Sequence, residues 1–358
     1  MPERTLIVFT ASTRSHEITW ESVMERMIRP LRADVAVCGA FPDGAPGDNP
    51  ITRAAKWVWP YAEVEDYGVH YDQMAARGGK GPMQRKKLLA VRSQWLGGIH
   101  GPGAHSGSAA IVLLFKQLAY EHIVLAGLDQ AYDRFIITRS DHFHGADHPA
   151  MESLDPSFVW VPNGSDSGGD GICDRHWIMG PQHLRNALSL VDPMLDDPDR
   201  LVADMSRMSC WNPEAYIAMI WRRNGIMKRV RRCPRTMYLV RGPKDKTRWQ
   251  AGRYNPEAGM IVKYHDEYEQ FKKDNPVHDN VMRIARELLE KHVWPLFPGG
   301  GSVLDVGSYD VNGTYRPLFP AGWDYLGVDI EKGPNVDLVV AGEHPLWGQQ
   351  AHAGSASS

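Results

Sequence analysis

The chain has 358 residues, 43% of them hydrophobic and 23% charged, with a formal net charge of −3. That composition excludes a disordered tail, and the near-neutral balance supplies no global attraction to nucleic acid or to an anionic membrane. Four scattered cysteines, Cys38, Cys173, Cys210 and Cys233, include no C-x-x-C pair, so neither a zinc knuckle nor a disulfide scaffold is indicated and a reducing cytosol fits best.

The N-terminus "MPERTLIVFTASTRSHE" turns polar after five apolar residues, too few for a signal-peptide core or a membrane span. No later stretch approaches the length of a transmembrane segment, and a soluble, cytoplasmic protein is expected. "TLIVFTAST" reads as a strand buried on both faces. "ITWESVMERMIRPL" follows with helical spacing of Trp20, Val23, Met27 and Leu31. "ADVAVCGAF" is a second buried strand, so the chain opens with a βαβ unit and a parallel sheet. Residues 41–107 read as loops with one basic helix near "MQRKKLLAVRSQWL". "SGSAAIVLLFKQLAYEHIVLAG" is a helix opened by Ser106 or Ser108 and closed by Gly127. "YDRFIITRSDH", "SFVWVPNG" and "TMYLVRG" are further strands. "NPEAYIAMIWRRNG" is a helix with Asn212 as N-cap, Pro213 in its first turn and Gly225 as its stop. A last helix, "HDNVMRIARELLEKHVW", leads through a Pro/Gly joint at 295–301 into "SVLDVGSYDVNGTYRPLFPAGWDYLGVDIEKG", read as strand, tight turn, helix and strand.

Three stretches before residue 265 carry chemistry. In open α/β sheets, ligands lie over the carboxyl ends of strands. Thr10, Ser12 and Arg14 in "FTASTRSHE" are placed to meet a ligand there, or to cap the next helix. "YDRFIITRSDHFHGADH" delivers Arg139, Asp141 and His142 to a strand end, with His144, Asp147 and His148 close behind. Asp141 with His142 could hold Mg²⁺ or Mn²⁺ bridging a diphosphate. His142 and His144 could instead take a transition metal, or the histidines could simply cover the site. In "VPNGSDSGGDGICDRHWIMG", glycines allow close backbone approach to a ligand. Asp170 or Asp174 could act there as a general base, with Arg175 pairing a phosphate or Asp174; ordinary turns use the same residues.

Eleven Lys or Arg fall within 222–248. The overall balance and the lack of interleaved aromatics argue against nucleic acid. A basic rim for a nucleotide diphosphate or an anionic glycan is the more economical reading, beside a plain solvated face. Glu214, in the first turn of its helix, is either a charge suited to the dipole or an acceptor-binding carboxylate.

Taken in order, "IVFTASTRSHEITWESVMERMIRPLRADVAVC", "GLDQAYDRFIITRSDH", "FVWVPNGSDSGGDGICDRHWIMG", "NPEAYIAMIWRRNG" and "KDKTRW" resemble a glycosyltransferase of the GT-A type, especially the WavE-like family, over residues 5–265. The resemblance implies that Thr10 and Arg14 contact a nucleotide-sugar donor. It places Arg139 and Asp141 near its diphosphate and metal, and Asp170, Asp174 and Arg175 along a glycan acceptor. The D-x-D of such enzymes is missing at the strand end; Asp197 and Asp199 in "LDDPDR" supply one only in an acidic turn. "VLDVGS…NG…YLGVDIEKGPNVDLVV" resembles the first motif and second strand of class I S-adenosylmethionine-dependent methyltransferases. That resemblance implies that Asp305 holds the methionine end, Gly307 forms the turn and Asp329 binds the ribose. Only two of that family's seven strands fit before Ser358, so the cofactor is expected only in a longer, complete protein.

The expected fold is α/β: a GT-A-like, Rossmann-like, mainly parallel sheet flanked by helices in residues 1–275. A helical linker (276–300), a truncated βαβ methyltransferase start (301–350) and a frayed tail (351–358) follow. The expected activity is transfer of a sugar from a nucleotide-sugar to a glycan hydroxyl. The alternatives are a methyltransferase with an N-terminal binding module, a metal-dependent hydrolase built on "DHFHGADH", and a non-catalytic glycan-binding protein.

Overall fold

A computed structural model describes residues 3–81, 84–89, 95–101, 107–164, 166, 171–208, 212–242, 245, 252–256, 258–274, 279–308, 314–320 and 322–340. The chain divides into two units, Met1–His265 and Asp266–Ser358.

In the first unit the strands are β1 (Thr5–Ala11), β2 (Asp34–Phe41), β3 (Trp57–Ala62), β4 (Arg134–Thr138), β5 (His142–His144), β6 (Val159–Pro162), β7 (Trp177–Met179), β8 (Val230–Cys233), β9 (Met237–Arg241), β10 (Arg253–Asn255) and β11 (Met260–Val262). A seven-stranded sheet has the order β3-β2-β1-β4-β7-β6-β8, and a four-stranded sheet the order β10-β11-β9-β5. β1 pairs in parallel with β2 and β4, and β2 with β3, while β7 runs antiparallel to β4. The result is a mixed, mainly parallel α/β architecture, as the sequence leads one to expect.

The apolar runs explain why the sheet is buried on both faces. Leu6 and Val8 of β1 enter one core cluster with Phe135, Ile137 and Trp177, while Ile7 and Phe9 enter the opposite cluster with Ile136 and Ile178. Each such side chain contributes roughly 1.5–3 kcal/mol by leaving water. The Ala109–Leu125 helix lies against the first cluster, and its stretch from Ala110 to Ala119 is entirely buried, Lys116 included.

Three differences from the sequence reading have physical causes. Residues 41–107 hold more than one helix: they include β3, a short helix Pro50–Ala54 with a capping box from Asn49 and Thr52, and the helix Gly68–Arg77. β3 escapes a hydrophobicity reading because it is an edge strand with half-exposed side chains, where Pro60 forfeits no ladder bond that matters. The first helix is not uniform: His16–Val23 passes into a π turn, Met24–Ile28, just before Pro30, which lacks the N–H an α-helix needs. Ser108 occupies the N-cap of the long helix without a side-chain cap bond, and Ser106 lies outside the described residues.

The second unit has three strands, β12 (Ser302–Val306), β13 (Asp324–Asp329) and β14 (Leu338–Val339), all parallel in the order β12-β13-β14. The third strand is one more than the sequence suggests. Between β12 and β13 the described residues contain only a 3₁₀ turn, Arg316–Leu318, where a helix was expected.

Candidate functional site

The strand order supplies the location. From β1 the sheet grows one way through β2 and β3 and the other way through β4, so the order reverses between β1 and β4. The crevice beyond the carboxyl ends of two such strands is the default ligand site of an open α/β sheet.

Arg14 follows β1, and Arg139, Ser140 and Asp141 follow β4. The backbone here is held in costly conformations: Ala11 has φ 76° and Ser15 φ 60°. Ser15 does not cap its helix; its hydroxyl donates to Asp245 at 2.8 Å, which also accepts from the Gly242 N–H at 2.7 Å. The Ser140 hydroxyl lies 2.9 Å from the carbonyls of both Ser12 and Arg14, tying the two strand ends together.

Asp141 is 1% exposed and receives three guanidiniums. Arg139 donates through Nε to Oδ1 at 2.9 Å and through Nη2 to Oδ2 at 2.7 Å. Arg14 Nε reaches Oδ2 at 3.0 Å, and Arg241 Nη1, from the end of β9, reaches it at 2.6 Å. Burial alone would raise the Asp141 carboxyl; Arg139, Arg241 and Arg14 overcome that and hold it well below the usual carboxylate range. Burial brings Arg241 down to about 10 against the pull of Asp141, and one of its buried atoms, Nε, has no hydrogen-bond partner.

A second group adjoins the first. Asp174 and Arg175 precede β7, Glu214 is the second residue of the Pro213–Arg223 helix, and Lys263 and Tyr264 follow β11. Asn212 caps that helix, accepting from the Ala215 N–H at 2.7 Å, and the Ile172 N–H donates to the Glu214 carbonyl at 3.1 Å. The Arg175 guanidinium lies over the Tyr264 ring and donates to its hydroxyl at 2.6 Å. It stands 3.7 Å from Asp174 and 3.9 Å from Glu214. Burial, then the charge of Asp174, pushes the Glu214 carboxyl up to about 7. Burial, with Arg175 and Arg139, pulls Lys263 down to about 8. Lys116 is fully buried beneath the site, 4.4 Å above the Trp177 ring; its ammonium has no hydrogen-bond partner and feels both Asp174 and Arg139. Burial brings it down to about 8.

Among the described residues, six cations (Arg14, Lys116, Arg139, Arg175, Arg241, Lys263) thus face four carboxylates (Asp141, Asp174, Glu214, Asp245), one of which is poised to carry a proton. The local field is positive, which suits an anionic ligand.

The structure brings Arg14, Arg139, Asp141, Asp174, Arg175 and Glu214 together. Thr10 is buried, with its hydroxyl on the Thr138 carbonyl at 3.2 Å. Asp170 lies outside the described residues. The Asp141–His142 pair does not fit a divalent cation, because the Asp141 oxygens already accept three guanidinium hydrogen bonds and stand in a further ion pair with Arg241. His142 turns Nδ1 to the Thr138 hydroxyl at 3.2 Å, and His142, His144 and His148 are buried. Among the described residues no group of three His, Cys, Asp or Glu is placed to hold a metal. Asp197 caps a helix, accepting from the Arg200 N–H at 3.0 Å, as an acidic turn should. In the second unit Asp305 accepts from the Tyr325 hydroxyl, Gly307 has φ 79°, and Asp329 ends β13 and accepts from the Glu331 N–H at 3.2 Å.

Sequence reasoning missed Lys263, Tyr264 and Lys116, and had Arg241 only as one of the eleven cations of 222–248. For Lys116 a signal existed: one lysine inside the apolar run "IVLLFKQLAY" has to be buried. A cavity of about 250 Å³ bordered by Met74, Arg77, Lys80, Glu121 and Asp196 lies apart from this cluster. Arg77 pairs there with Glu121 and Lys80 with Asp196, while the Asp192 carboxylate accepts from Gln117 Nε2 at 2.6 Å.

No family model and no curated protein matches the chain. Among solved structures, mouse xyloside xylosyltransferase 1 in its apo form is similar at a TM-score of 0.34 and 8% identity, over 64% of this chain and 84% of that one. A likeness at that level settles neither substrate nor chemistry, which must be argued from the residues. Among the described residues no helix is long and apolar enough to cross a membrane.

Proposed function

We propose that the first unit is a glycosyltransferase that takes a sugar from a nucleotide-sugar donor and passes it to a hydroxyl of a glycan acceptor. The observation that carries this reading is the convergence of Arg14, Arg139 and Arg241 on one buried carboxylate at the β1/β4 switch point. Three guanidiniums on one carboxylate leave two positive charges, of which Asp245 offsets part. Asp141 does not consume the arginines; it fixes their planes. Guanidiniums so held suit a diphosphate, which accepts paired N–H bonds and gains further charge as it leaves.

In this reading the arginines do the work the sequence assigns to a metal at Asp141 and His142. The donor diphosphate lies across Arg14, Arg139 and Arg241. Lys263 and Arg175 extend the positive wall, and Asp174 and Glu214 border the acceptor. The five-stretch resemblance in the sequence supports the sugar-transfer chemistry, and the positive switch-point crevice supports the donor class. The metal-dependent hydrolase alternative gains no support, because the histidines of "DHFHGADH" are buried rather than gathered around an accessible centre.

The test is thermal unfolding and calorimetry with a panel of uridine, guanosine, thymidine and cytidine nucleotide-sugars, with and without Mn²⁺. Stabilisation by one donor class, undiminished by chelator, is expected. Binding by none of them, or binding only with the metal, would sink the arginine-based reading.

A further inference from the structure

We propose that Glu214 is the group that takes the proton from the acceptor hydroxyl, in a single displacement that inverts the anomeric carbon. This rests on the glycosyltransferase reading and adds to it the residue that bears the proton and the stereochemical course.

Asp174 and Glu214 are the described carboxylates beside Arg175, and their surroundings differ. Asp174 faces Lys116, Arg139 and Arg175. Glu214 has one ion-pair partner, Arg175, at 3.9 Å, and the Arg175 nitrogen nearest to it is already committed to the Tyr264 hydroxyl at 2.6 Å. The Glu214 carboxylate is therefore not consumed by a close ion pair, whereas the Asp141 carboxylate is. Its side chain keeps 12% of its surface open. It also projects from a helix start fixed on two sides, by the Asn212 cap and by the Ile172 N–H on its own carbonyl. A positioned, weakly paired carboxylate that keeps one edge open next to an anion-binding wall is what a general base requires.

The charged and titratable groups facing it come from every element packed around it. Asp174 and Arg175 belong to the loop before β7, and Lys263 and Tyr264 to the turn after β11. Burial and Asp174 push the Glu214 carboxyl up to about 7, while Arg175 and Lys263 restrain it. A base in that range is still ionised in good part at neutral pH and is a stronger proton acceptor than an ordinary carboxylate.

The step balances. The acceptor oxygen bonds to the anomeric carbon from the face opposite the diphosphate as its proton passes to a Glu214 oxygen. The bond from the anomeric carbon to the phosphate oxygen breaks, and its electron pair leaves with the nucleoside diphosphate, whose charge the arginines receive. Glu214 then returns the proton to solvent.

The experiment is turnover of the active nucleotide-sugar, with water or a simple alkyl glycoside as acceptor, followed from pH 5 to 9. Wild type should show kcat rising through an apparent pKa near 7 and a product of inverted configuration. Glu214→Gln should lose roughly 10²–10⁴-fold in kcat while binding the nucleoside diphosphate within a few-fold of wild type. Glu214→Asp should keep part of the rate. Asp174→Asn should move the acidic limb to lower pH, because the repulsion that raises Glu214 is gone; a purely structural carboxylate would show no such shift. If Glu214→Gln does not fold, the Glu214→Asp and Asp174→Asn profiles decide the matter. Glu214→Gln turning over within ten-fold of wild type, an acidic limb that Asp174→Asn leaves in place, or a product of retained configuration would overturn the proposal. A wild type inactive with every donor would instead overturn the glycosyltransferase reading beneath it.

Discussion

Asp141 and Glu214 carry the same functional group in neighbouring parts of one crevice, and their environments assign them opposite work. Both are removed from water, which by itself favours the neutral acid. At Asp141 three guanidiniums within hydrogen-bond distance reverse that preference, and the carboxyl is held well below its ordinary range. At Glu214 the one guanidinium stands 3.9 Å off and Asp174 adds repulsion, so burial prevails and the carboxyl rises to about 7. The first is a fixed charge that orients arginines; the second can gain and lose a proton near neutrality. Ion-pair geometry, more than burial, separates them.

The largest effect should come from removing the charge on each side. Asp141→Asn strands three guanidiniums and should cost about 3–5 kcal/mol of stability, the range seen when one partner of a buried charge cluster is deleted. Glu214→Gln should do the reverse at neutral pH and above. A carboxyl whose folded pKa is raised is fully stabilising below its unfolded value of 4.5 and loses that contribution as pH rises through about 7. Glu214→Gln should therefore match wild type near pH 4.5 and exceed it by about 1–3 kcal/mol at pH 8. Denaturant midpoints of both variants at the two pH values measure this; equal losses from both substitutions would erase the distinction.

Next in size is the donor side. Arg241→Ala or Arg139→Ala removes a charge-assisted donor from the diphosphate wall, and such bonds contribute about 1.5–3 kcal/mol. Nucleoside-diphosphate affinity should fall roughly ten- to hundred-fold, with Mn²⁺ failing to restore it. Restoration by metal would show that Asp141, once relieved of an arginine, is a latent ion site.

Much of this was legible in the sequence, and the illegible part has a common cause. The run "TLIVFTAST" discloses a two-faced buried strand because Leu6 and Val8 need one core and Ile7 and Phe9 another. "NPEAYIAMIWRRNG" discloses its helix through Asn212 and Pro213. Arg14, Arg139 and Asp141 could be placed together because strand ends deliver ligands. Arg241 and Lys263 could not: each lies a hundred residues or more further along, and although "TMYLVRG" reads as a strand, nothing in its pattern says that it pairs with β5 and β11 in a second sheet and brings its end to Asp141. The crowding of Asp141 was illegible for the same reason, since its third arginine comes from the end of β9 in that second sheet. In the second unit, Asp305 and Asp329 fall on adjacent parallel strands, with Asp305 in register with Gly327.

The histidines beneath the site provide a smaller contrast with Glu214, opposite in sign. Burial holds His144 down to about 3 and His148 to about 4, from an ordinary 6.5. A histidine kept neutral in the fold costs stability as pH falls from 6.5 toward its folded value, because only the unfolded chain takes the proton. Each contributes up to about 1.4 kcal/mol per pH unit in that window. Both His144 ring nitrogens lack a hydrogen-bond partner, so His144→Leu should raise the unfolding midpoint at pH 5 more than at pH 8. A gain independent of pH would mean that packing, not charge, decides at this position.

The smallest effect belongs to Lys263, whose proton leaves at about 8. Its loss removes one cation from a wall of several, so nucleoside-diphosphate affinity should fall only about three- to ten-fold between pH 7 and 9. Lys263→Met should bind that much more weakly at pH 7 and then fall less steeply than wild type toward pH 9, the remaining fall belonging to Lys116, which burial also brings down to about 8; calorimetry at the two pH values can resolve this. Because Lys263 also restrains Glu214, the same substitution should move the acidic limb of kcat to higher pH, opposite to Asp174→Asn. Asp141, pinned by its arginines, should contribute no limb at all between pH 5 and 9. A limb that moves with Asp174 and Lys263 in opposite directions while the donor wall stays charged would identify Glu214 as the group that titrates.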